Sequence, residues 1–282
     1  MARRSNVRRR GLRLQVLNSR DSGHTTYNHG SHKSYITNEE KRQFKQLGFV
    51  AKEGIIPDDI RARAIDVLWD TIEADRDDPE SWINAGPTGN LSCGKHDDIG
   101  ATVHNTAVYE MAEELAGTGN LKSPSNPLCK MGYPTGHDDW EPPSGHLDGY
   151  TDPDRSEAWT FAVGVTMNIA DVAPKSGGFT TWKGSHEKIA EHFRSHSLLT
   201  GYDINKGDSP DIASTCERYE HAAPAGSVVF WHHYMLHSAS INCGRDIRMA
   251  FVTRFSFKNL HDIMFDLPYN TWGPWEGLKD ID

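Results

Sequence analysis

The sequence predicts a mainly β domain, a barrel or sandwich, buttressed by helices on its N-terminal side. Apolar residues recur at helical spacing in the first part of the chain, and short β-prone runs begin near Leu128. Turn residues such as the Pro-Lys-Ser-Gly-Gly stretch at 174–178 separate those runs. A chain of 282 residues with this order of elements fits one core. We predict a single domain over residues 36–282, preceded by a basic, disordered tail over residues 1–35.

Charge is unevenly distributed along the chain. Residues 1–20 contain seven Arg and no acid, so the remainder carries 23 Lys and Arg against 39 Asp and Glu. The acidic body argues against nucleic acid as a partner. The basic start is interpreted either as a solvated tail of a cytoplasmic protein or as an organellar transit peptide. The sequence carries no signal for an oligomeric state.

Two further features of composition bear on the environment of the protein. No apolar run is long enough to cross a bilayer, which predicts no membrane partner. The four cysteines, at positions 93, 129, 216 and 243, form no Cys-x-x-Cys pair. Reduced thiols in an intracellular protein are the expectation.

Three helices are predicted in the first part of the chain. Thr37 and Glu40 form a capping box at the start of the first. The second begins near Pro57, and its apolar face repeats every three or four residues. That face consists of Ile60, Ala64, Val67, Leu68 and Ile72. The third runs from about Thr106 to Leu115, and the stretch 82–104, rich in Gly, Asn and Asp, is predicted to be a loop.

The second part of the chain is predicted to form strands. Residues 187–222 are expected to be an insertion between them, helical at first (Glu187–Phe193) and then irregular. The predicted strands are Ala158–Ile169, Phe179–Trp182, Gly226–Trp231 and Arg248–Phe257.

A His-x-Asp pair is the first candidate for metal chemistry. Residues i and i+2 of a strand point to the same face, so a strand end could offer both side chains to one ion. The motif occurs three times, as His96/Asp98, His137/Asp139 and His146/Asp148. The last is preferred, because an apolar residue separates its two members and the chain then leads towards a predicted strand. The other two lie in polar, Gly-rich surroundings typical of solvated loops.

A later histidine completes the candidate metal site. His232, His233 and His237 all follow a predicted strand, but only His237 stands eleven residues before Arg248 across a polar turn. Two histidines and one carboxylate with open positions form the facial triad of non-heme Fe(II) oxygenases. We therefore predict that His146, Asp148 and His237 bind iron. His232 and His233 are interpreted as supporting or surface residues.

Arg248 opens a strand in which it shares a face with Arg254. A guanidinium enclosed near the metal needs an anion, because burial of an unpaired charge is costly. The distal carboxylate of 2-oxoglutarate would supply that anion. For Arg254 the sequence leaves two partners open, a structural acid or an anionic substrate.

These motifs together resemble the phytanoyl-CoA dioxygenase-like family of Fe(II)/2-oxoglutarate oxygenases. The resemblance covers roughly residues 37–257 and rests on Gly-His-Leu-Asp (145–148) and two longer segments. These are Ser-Gly-Gly-Phe-Thr-Thr-Trp-Lys-Gly-Ser-His (176–186) and Gly-Ser-Val-Val-Phe-Trp-His-His-Tyr-Met-Leu-His-Ser-Ala-Ser-Ile-Asn (226–242), closing on Arg248. Lys183 departs from the family, which commonly has Pro there. The resemblance implies a double-stranded β-helix, a jelly-roll (cupin-like) barrel, with Thr166 beside 2-oxoglutarate and segment 176–186 shaping the barrel.

The expected activity is that of a dioxygenase using Fe(II), 2-oxoglutarate and O2 to hydroxylate a small molecule. Desaturation, epoxidation or ring formation at the same centre is the alternative, followed by a non-catalytic metal- or ligand-binding barrel. The family's halogenases lack the carboxylate ligand, so Asp148 points away from halogenation. Segments 82–104 and 133–140 are expected to select the substrate. Candidate contacts within them are Trp82, Lys95, His96 and Trp140.

Overall fold

Two antiparallel sheets and a set of surrounding helices make up the fold. The computed structural model describes residues 34–86, 90–149, 160–198 and 204–282. The strands are β1 Phe49–Lys52, β2 Leu128–Gly132, β3 Val163–Asn168, β4 Phe179–Trp182, β5 Arg218–His221, β6 Val228–His232, β7 His237–Ala239 and β8 Arg248–Phe255. Within the described residues, one sheet has the order β1-β6-β3-β8-β2 and the other the order β5-β4-β7.

The central strand of the larger sheet is β3, and all six of its residues are buried. Val163 pairs with His232 of β6 on one side and with Phe255 of β8 on the other. In the smaller sheet β4 is central, and Thr181 pairs with His237 of β7. The two sheets meet where Phe179 of β4 lies 5.9 Å, centroid to centroid, from the ring of Trp231 of β6. Apolar burial on both sides of β3 makes the larger sheet the centre of the core.

Four of the described helices lie before the strand-rich part of the chain that begins at β2, as the sequence predicts, and three lie within or after it. They are α1 Asn38–Leu47, α2 Asp58–Trp69, α3 Asp97–His104, α4 Val108–Ala116, α5 Ser185–Ser195, α6 Ser209–Ser214 and α7 Leu260–Ile263. The capping box is present at α1, where the Thr37 side chain accepts from Glu40 N and the Glu40 side chain accepts from Thr37 N. Gly48 ends this helix in a left-handed conformation at φ 83°.

The predicted loop 82–104 is wrong in its second half, which forms α3. His96 caps this helix by accepting a hydrogen bond from Asp98 N. The run from Ile99 to Val103 is buried throughout. A helix buried on every side has no polar face, so its sequence shows no amphipathic period.

The strand predictions are correct in place but incomplete. β1, β2 and β7 lie outside every predicted strand, because each spans five residues or fewer and is too short for a clear alternation. The predicted irregular part of 187–222 contains α6 and β5. β5 is half exposed and polar, and its pairing with β4 defines it as a strand.

The predicted basic tail over residues 1–35 falls almost wholly outside the described residues and stays a prediction. In the described part of the chain, no helix combines the length and the apolar character that a bilayer crossing requires.

Buried histidines make the fold sensitive to acid. Burial lowers the pKa of His186 to about 4, of His221 to about 4 and of His233 to about 3. The folded protein keeps these rings neutral, whereas the unfolded chain takes up protons below about pH 6.5. Stability is therefore fully present above that pH and is lost as the pH falls towards 4. Each histidine contributes roughly 1.4 kcal/mol of destabilisation per pH unit below 6.5.

We expect the free energy of unfolding, measured by urea denaturation, to fall steeply between pH 6.5 and pH 4.5. In the wild type, His186 Nε2 donates to the Lys45 carbonyl at 3.0 Å. The variant His186→Gln can keep this hydrogen bond through its amide, and it should take up about one proton fewer on unfolding. His261→Gln, at a side chain 81% exposed, is the control and should leave the slope unchanged. A flat stability profile over this range would contradict the prediction.

Candidate metal centre

A single β-bridge holds together the two segments that carry the predicted ligands. His146 N donates to His237 O at 3.0 Å, and His237 N donates to His146 O at 3.1 Å. His146 does not belong to a strand of either sheet, so the expectation that a strand end carries the His-x-Asp pair is wrong. Leu147, fully buried between the pair, anchors the segment in the core instead.

The three predicted ligand side chains converge. His146 Nε2 lies 3.4 Å from Asp148 Oδ1, and His237 Nε2 lies 3.4 Å from Asp148 Oδ2. One donor atom from each residue falls within 4.8 Å of the others. Donor atoms bound to one ion at about 2.1 Å each are about 3 Å apart at right angles, so small shifts would place all three on one ion. His146 is 47% exposed and His237 is 8% exposed, so the centre is open on the His146 side.

The imidazole of His237 is fixed in the tautomer that a metal ligand needs. Its Nδ1–H donates to Met235 O at 3.1 Å, which leaves the Nε2 lone pair facing Asp148. The ring lies between Trp231 and Phe179, with centroid separations of 4.2 and 5.7 Å. Burial lowers the pKa of His237 despite the nearby Asp148, so the ring is neutral and able to bind a cation.

Segment 176–186 sets the position of the turn before His237. Thr181 Oγ1 donates to Leu236 O at 2.8 Å, and Leu236 N donates to Ser185 Oγ at 3.0 Å. These bonds satisfy buried backbone groups next to the ligand. The sequence resemblance gave this segment a shaping role, and its contacts are of that kind.

Gly145 lets the His-x-Asp segment approach β4 closely. A Cβ at this position would stand 2.7 Å from the ring of Trp182. The residue before the first ligand therefore has to be glycine unless the tryptophan moves.

Asp148 is held ionised in a partly buried position. Burial would raise its pKa, but the neighbouring side chains of His146 and His237 and the charge of Arg254 hold it below the ordinary range of an aspartate. Arg254 binds one carboxylate oxygen, Oδ2, through both Nε, at 2.9 Å, and Nη2. The sequence left open whether Arg254 pairs with a structural acid or with an anionic substrate. In the structure its partner is an acid, Asp148.

A cavity of about 250 Å³ adjoins the three ligands. Residues of both sheets line it. They are Lys130, Met131, His146, Asp148, Thr166, Phe179, Trp231, His237, Ser238, Ala239, Arg248, Val252 and Arg254. Arg248 and Arg254 lie on the same face of β8, as their spacing predicts.

Arg248 is buried without an acidic partner. It is 5% exposed, and no carboxylate of the described residues lies within ion-pairing distance of its guanidinium. Its Nε has no hydrogen-bond partner, and burial lowers its pKa to about 10. Gly177, at φ 80°, makes room for it, since a Cβ there would stand 3.2 Å from Arg248 Cδ. Such a site is suited to an anion that enters the cavity.

Thr166 lies on the wall of the same cavity. It is buried on β3, and its Oγ1 accepts a hydrogen bond from Trp231 Nε1 at 3.3 Å. Its place is compatible with the contact to 2-oxoglutarate that the sequence resemblance implies.

The two alternative His-x-Asp pairs lie elsewhere. Asp98 forms an ion pair with Arg63 at 3.0 Å, next to the capping residue His96 of α3. His137 and Asp139 are exposed. Neither pair lines the cavity.

His232 and His233 are fully buried rather than on the surface. His232 lies between aromatic rings, 5.1 Å from Trp275 and 5.0 Å from Trp272. Neither histidine is among the cavity-lining residues of the described chain. Both support the core instead of the centre.

The residues expected to select the substrate are also outside the cavity lining. Trp82 Nε1 donates to Asp75 O at 2.7 Å, which ties the ring to its own segment. The guanidinium of Arg218 lies over the ring of Trp140, 4.9 Å from the centroid of that ring. A role for these residues in substrate selection stays a prediction, as it does for Lys95 and His96.

Lys130 is a cavity residue that the sequence analysis did not single out. It lies on β2, where it pairs with Ala250 between the buried residues Cys129 and Met131. Leu128–Gly132 is too short for its sequence to reveal this, and only the pairing with β8 identifies Lys130 as a cavity residue.

The donor set fits a divalent transition metal. Two neutral imidazoles and one carboxylate on adjacent segments leave open positions on an octahedral ion, the arrangement of non-heme Fe(II) sites. Arg254 is the outer partner of the carboxylate and Met235 O that of one imidazole.

No family model and no curated protein matches the chain. Solved structures match its fold. The carbocyclase SnoK from nogalamycin biosynthesis, described as non-heme and alpha ketoglutarate dependent, has a TM-score of 0.53 at 17% identity, over 78% of this chain and 84% of SnoK. The epimerase SnoN, in complex with Fe3+ and alpha ketoglutarate, has a TM-score of 0.52 at 16% identity, over 78% and 82% of the two chains.

EctD from S. alaskensis with bound Fe has a TM-score of 0.54 at 15% identity, over 81% of this chain and 80% of EctD. At these identities the likeness establishes a common fold. The chain therefore has the mixed helix-and-sheet fold of these iron-binding or ketoglutarate-dependent proteins.

Removal of any ligand should abolish metal binding. His146→Ala, Asp148→Ala and His237→Ala should each weaken the binding of Co(II) or Mn(II) by more than about 100-fold, because loss of a residue that only orients a ligand already costs 10–100-fold. Isothermal titration calorimetry measures this directly. Asp139→Ala is the control from a rejected His-x-Asp pair and should bind metal like the wild type. The opposite order for Asp139 and Asp148 would show that the wrong pair was chosen.

Arg254 should act on the metal through Asp148. We expect Arg254→Gln to lower metal affinity about 10–100-fold, because the carboxylate loses the partner that orients it. Arg254→Lys keeps the charge but not the two-donor geometry and should fall between the variant and the wild type. Circular dichroism and thermal melting of the metal-free proteins serve as the folding control. Unchanged Mn(II) affinity in Arg254→Gln would rule out this role.

Proposed function

We propose that the chain is an Fe(II)- and 2-oxoglutarate-dependent oxygenase of the phytanoyl-CoA dioxygenase-like family that hydroxylates a small molecule. One observation carries this proposal. The His146, Asp148 and His237 side chains converge beside Arg248, a buried cation without an acidic partner among the described residues. The triad alone fits several metals, and the unpaired guanidinium adds a site for the far end of a dicarboxylate.

The fold supports the proposal. SnoK is described as alpha ketoglutarate dependent, and SnoN was solved with Fe3+ and alpha ketoglutarate. We infer that the two antiparallel sheets correspond to the two halves of a double-stranded β-helix, with the cavity at its mouth.

Six of the residues that line the cavity have a role in this function. A ferrous ion bound here would supply O2 activation coupled to oxidative decarboxylation of the 2-oxo acid. His146, Asp148 and His237 would hold the ion, and Arg248 would hold the distal carboxylate of the cosubstrate. The rings of Trp231 and Phe179 flank His237 and limit the access of water.

The ligand set argues against halogenation and for hydroxylation or a related oxidation. Asp148 occupies the third protein position, so that position is not free for a halide. A cavity of about 250 Å³ next to the centre suits a small molecule or part of one. Among these oxidations we propose hydroxylation of the bound substrate.

The cosubstrate site provides the test. With Fe(II), the wild-type protein should convert 2-oxoglutarate to succinate in an O2-dependent reaction, slowly even without substrate, and His237→Ala should not. In Arg248→Met the affinity for 2-oxoglutarate should fall on the order of 100-fold, because removal of one partner of a buried ion pair costs about 2–5 kcal/mol. Succinate formation and calorimetric titration of the Mn(II)-loaded protein measure the two effects.

A change of stability separates a cosubstrate site from a structural arginine. Without ligand, Arg248→Met should be at least as stable as the wild type, because an unpaired buried charge is removed. The wild type alone should gain thermal stability from saturating 2-oxoglutarate. Arg245→Met, at an exposed arginine of the preceding turn, is the control and should behave like the wild type. Equal binding of 2-oxoglutarate by Arg248→Met and the wild type would contradict the proposal.

A further inference from the structure

The cavity beside the candidate metal centre contains more positive than negative side chains. Among the described residues that line it, Lys130, Arg248 and Arg254 are cationic and Asp148 is the one carboxylate. These side chains together carry a net charge of +2. The charges of a divalent cation and of the dianion 2-oxoglutarate cancel, so binding of both leaves this net charge unchanged.

Two of the three cations have a partner assigned. Arg254 binds Asp148 Oδ2, and Arg248 is the proposed partner of the distal carboxylate. Lys130 is different, because no hydrogen bond or ion pair joins its ammonium to any other described residue. A lysine on a cavity wall without a partner is suited to an anion that comes from outside.

The strand register fixes the direction of Lys130. On β2, Cys129 and Met131 are buried, and Lys130 between them is half-buried. It pairs with Ala250, which lies between Arg248 and Val252 on the cavity face of β8. Lys130 therefore lies on the same side of the sheet as Arg248 and Val252.

The electrostatic surroundings agree with this placement. Burial lowers the pKa of Lys130, and the charges of Arg254 and Arg248 lower it further against the opposing effect of Asp148. The ammonium therefore lies in a positive field that an additional anion would relieve.

We propose that Lys130 determines substrate specificity by binding an oxyanion of the substrate, a carboxylate or a phosphate ester. This inference rests on the proposed function, because it takes Arg248 to be occupied by the cosubstrate. It assigns the substrate to the class of small organic anions. In this role Lys130 positions the substrate and takes no part in proton or electron transfer.

The test uses the full chain loaded with Mn(II) and 2-oxoglutarate. Benzoate, phenyl phosphate and the neutral benzamide are titrated in turn, and the paramagnetic relaxation of their ring protons reports binding near the metal. Benzoate or phenyl phosphate should be relaxed, and benzamide should not. The stronger of the two anions identifies the oxyanion that the site prefers.

Variants of Lys130 decide the assignment. Lys130→Met should weaken binding of the preferred anion about tenfold, the loss expected for one charge-assisted hydrogen bond. Lys130→Arg should stay within about threefold of the wild type. Lys122→Met, at an exposed lysine, is the control and should leave binding unchanged. In all three variants the affinity for 2-oxoglutarate should match the wild type.

Three results would overturn the inference. Equal relaxation of benzoate, phenyl phosphate and benzamide would show that charge is not recognised. Unchanged anion binding in Lys130→Met would place the anion elsewhere. A weaker affinity of that variant for 2-oxoglutarate, with anion binding intact, would assign Lys130 to the cosubstrate. Failure of the wild type to bind Mn(II) and 2-oxoglutarate at all would instead refute the proposed function.

Discussion

The candidate site depends on two backbone hydrogen bonds. They join His146 to His237 and bring together segments that are 91 residues apart in the chain. The bridge sets the two imidazoles 4.5 Å apart, centroid to centroid, and Asp148 then reaches both rings. Each ligand separately is an ordinary polar residue, and their common donor geometry exists only through this bridge.

Much of the surrounding structure serves to keep that bridge in place. Leu147 anchors one side in the core, and the hydrogen bonds from Thr181 and to Ser185 fix Leu236 on the other. Trp182 packs so closely on Gly145 that no larger residue fits there. Rigid support of this kind is what a metal centre requires, because ligands displaced by about 1 Å lose much of their affinity and reactivity.

Charge is the second organising feature of the cavity. Arg254 neutralises Asp148, whereas Arg248 and Lys130 have no acidic partner among the described residues. Uncompensated cations in a partly buried cavity lower the stability of the empty protein and favour the binding of anions. A dicarboxylate cosubstrate and an anionic substrate would relieve this cost together.

The sequence determined the features that have a local physical signature. The capping box at Thr37, the helical spacing of α2 and the run of β3 are each readable because neighbouring residues alone produce them. For the same reason, the sequence shows the order and type of the candidate metal ligands. It also shows that Arg248 and Arg254 share one face of a strand. The sequence did not predict α3. A helix buried on all sides has no polar face, so its sequence lacks the periodic spacing of apolar residues that identifies a helix.

Only the tertiary structure decided which of these residues meet. The sequence favoured one of three His-x-Asp pairs, and the bridge to His237 is what places that pair beside the cavity. The partner of Arg254 and the inward direction of Lys130 follow from pairings between distant strands. Such contacts depend on which strands pair and in which register, and no segment of the sequence carries that information by itself.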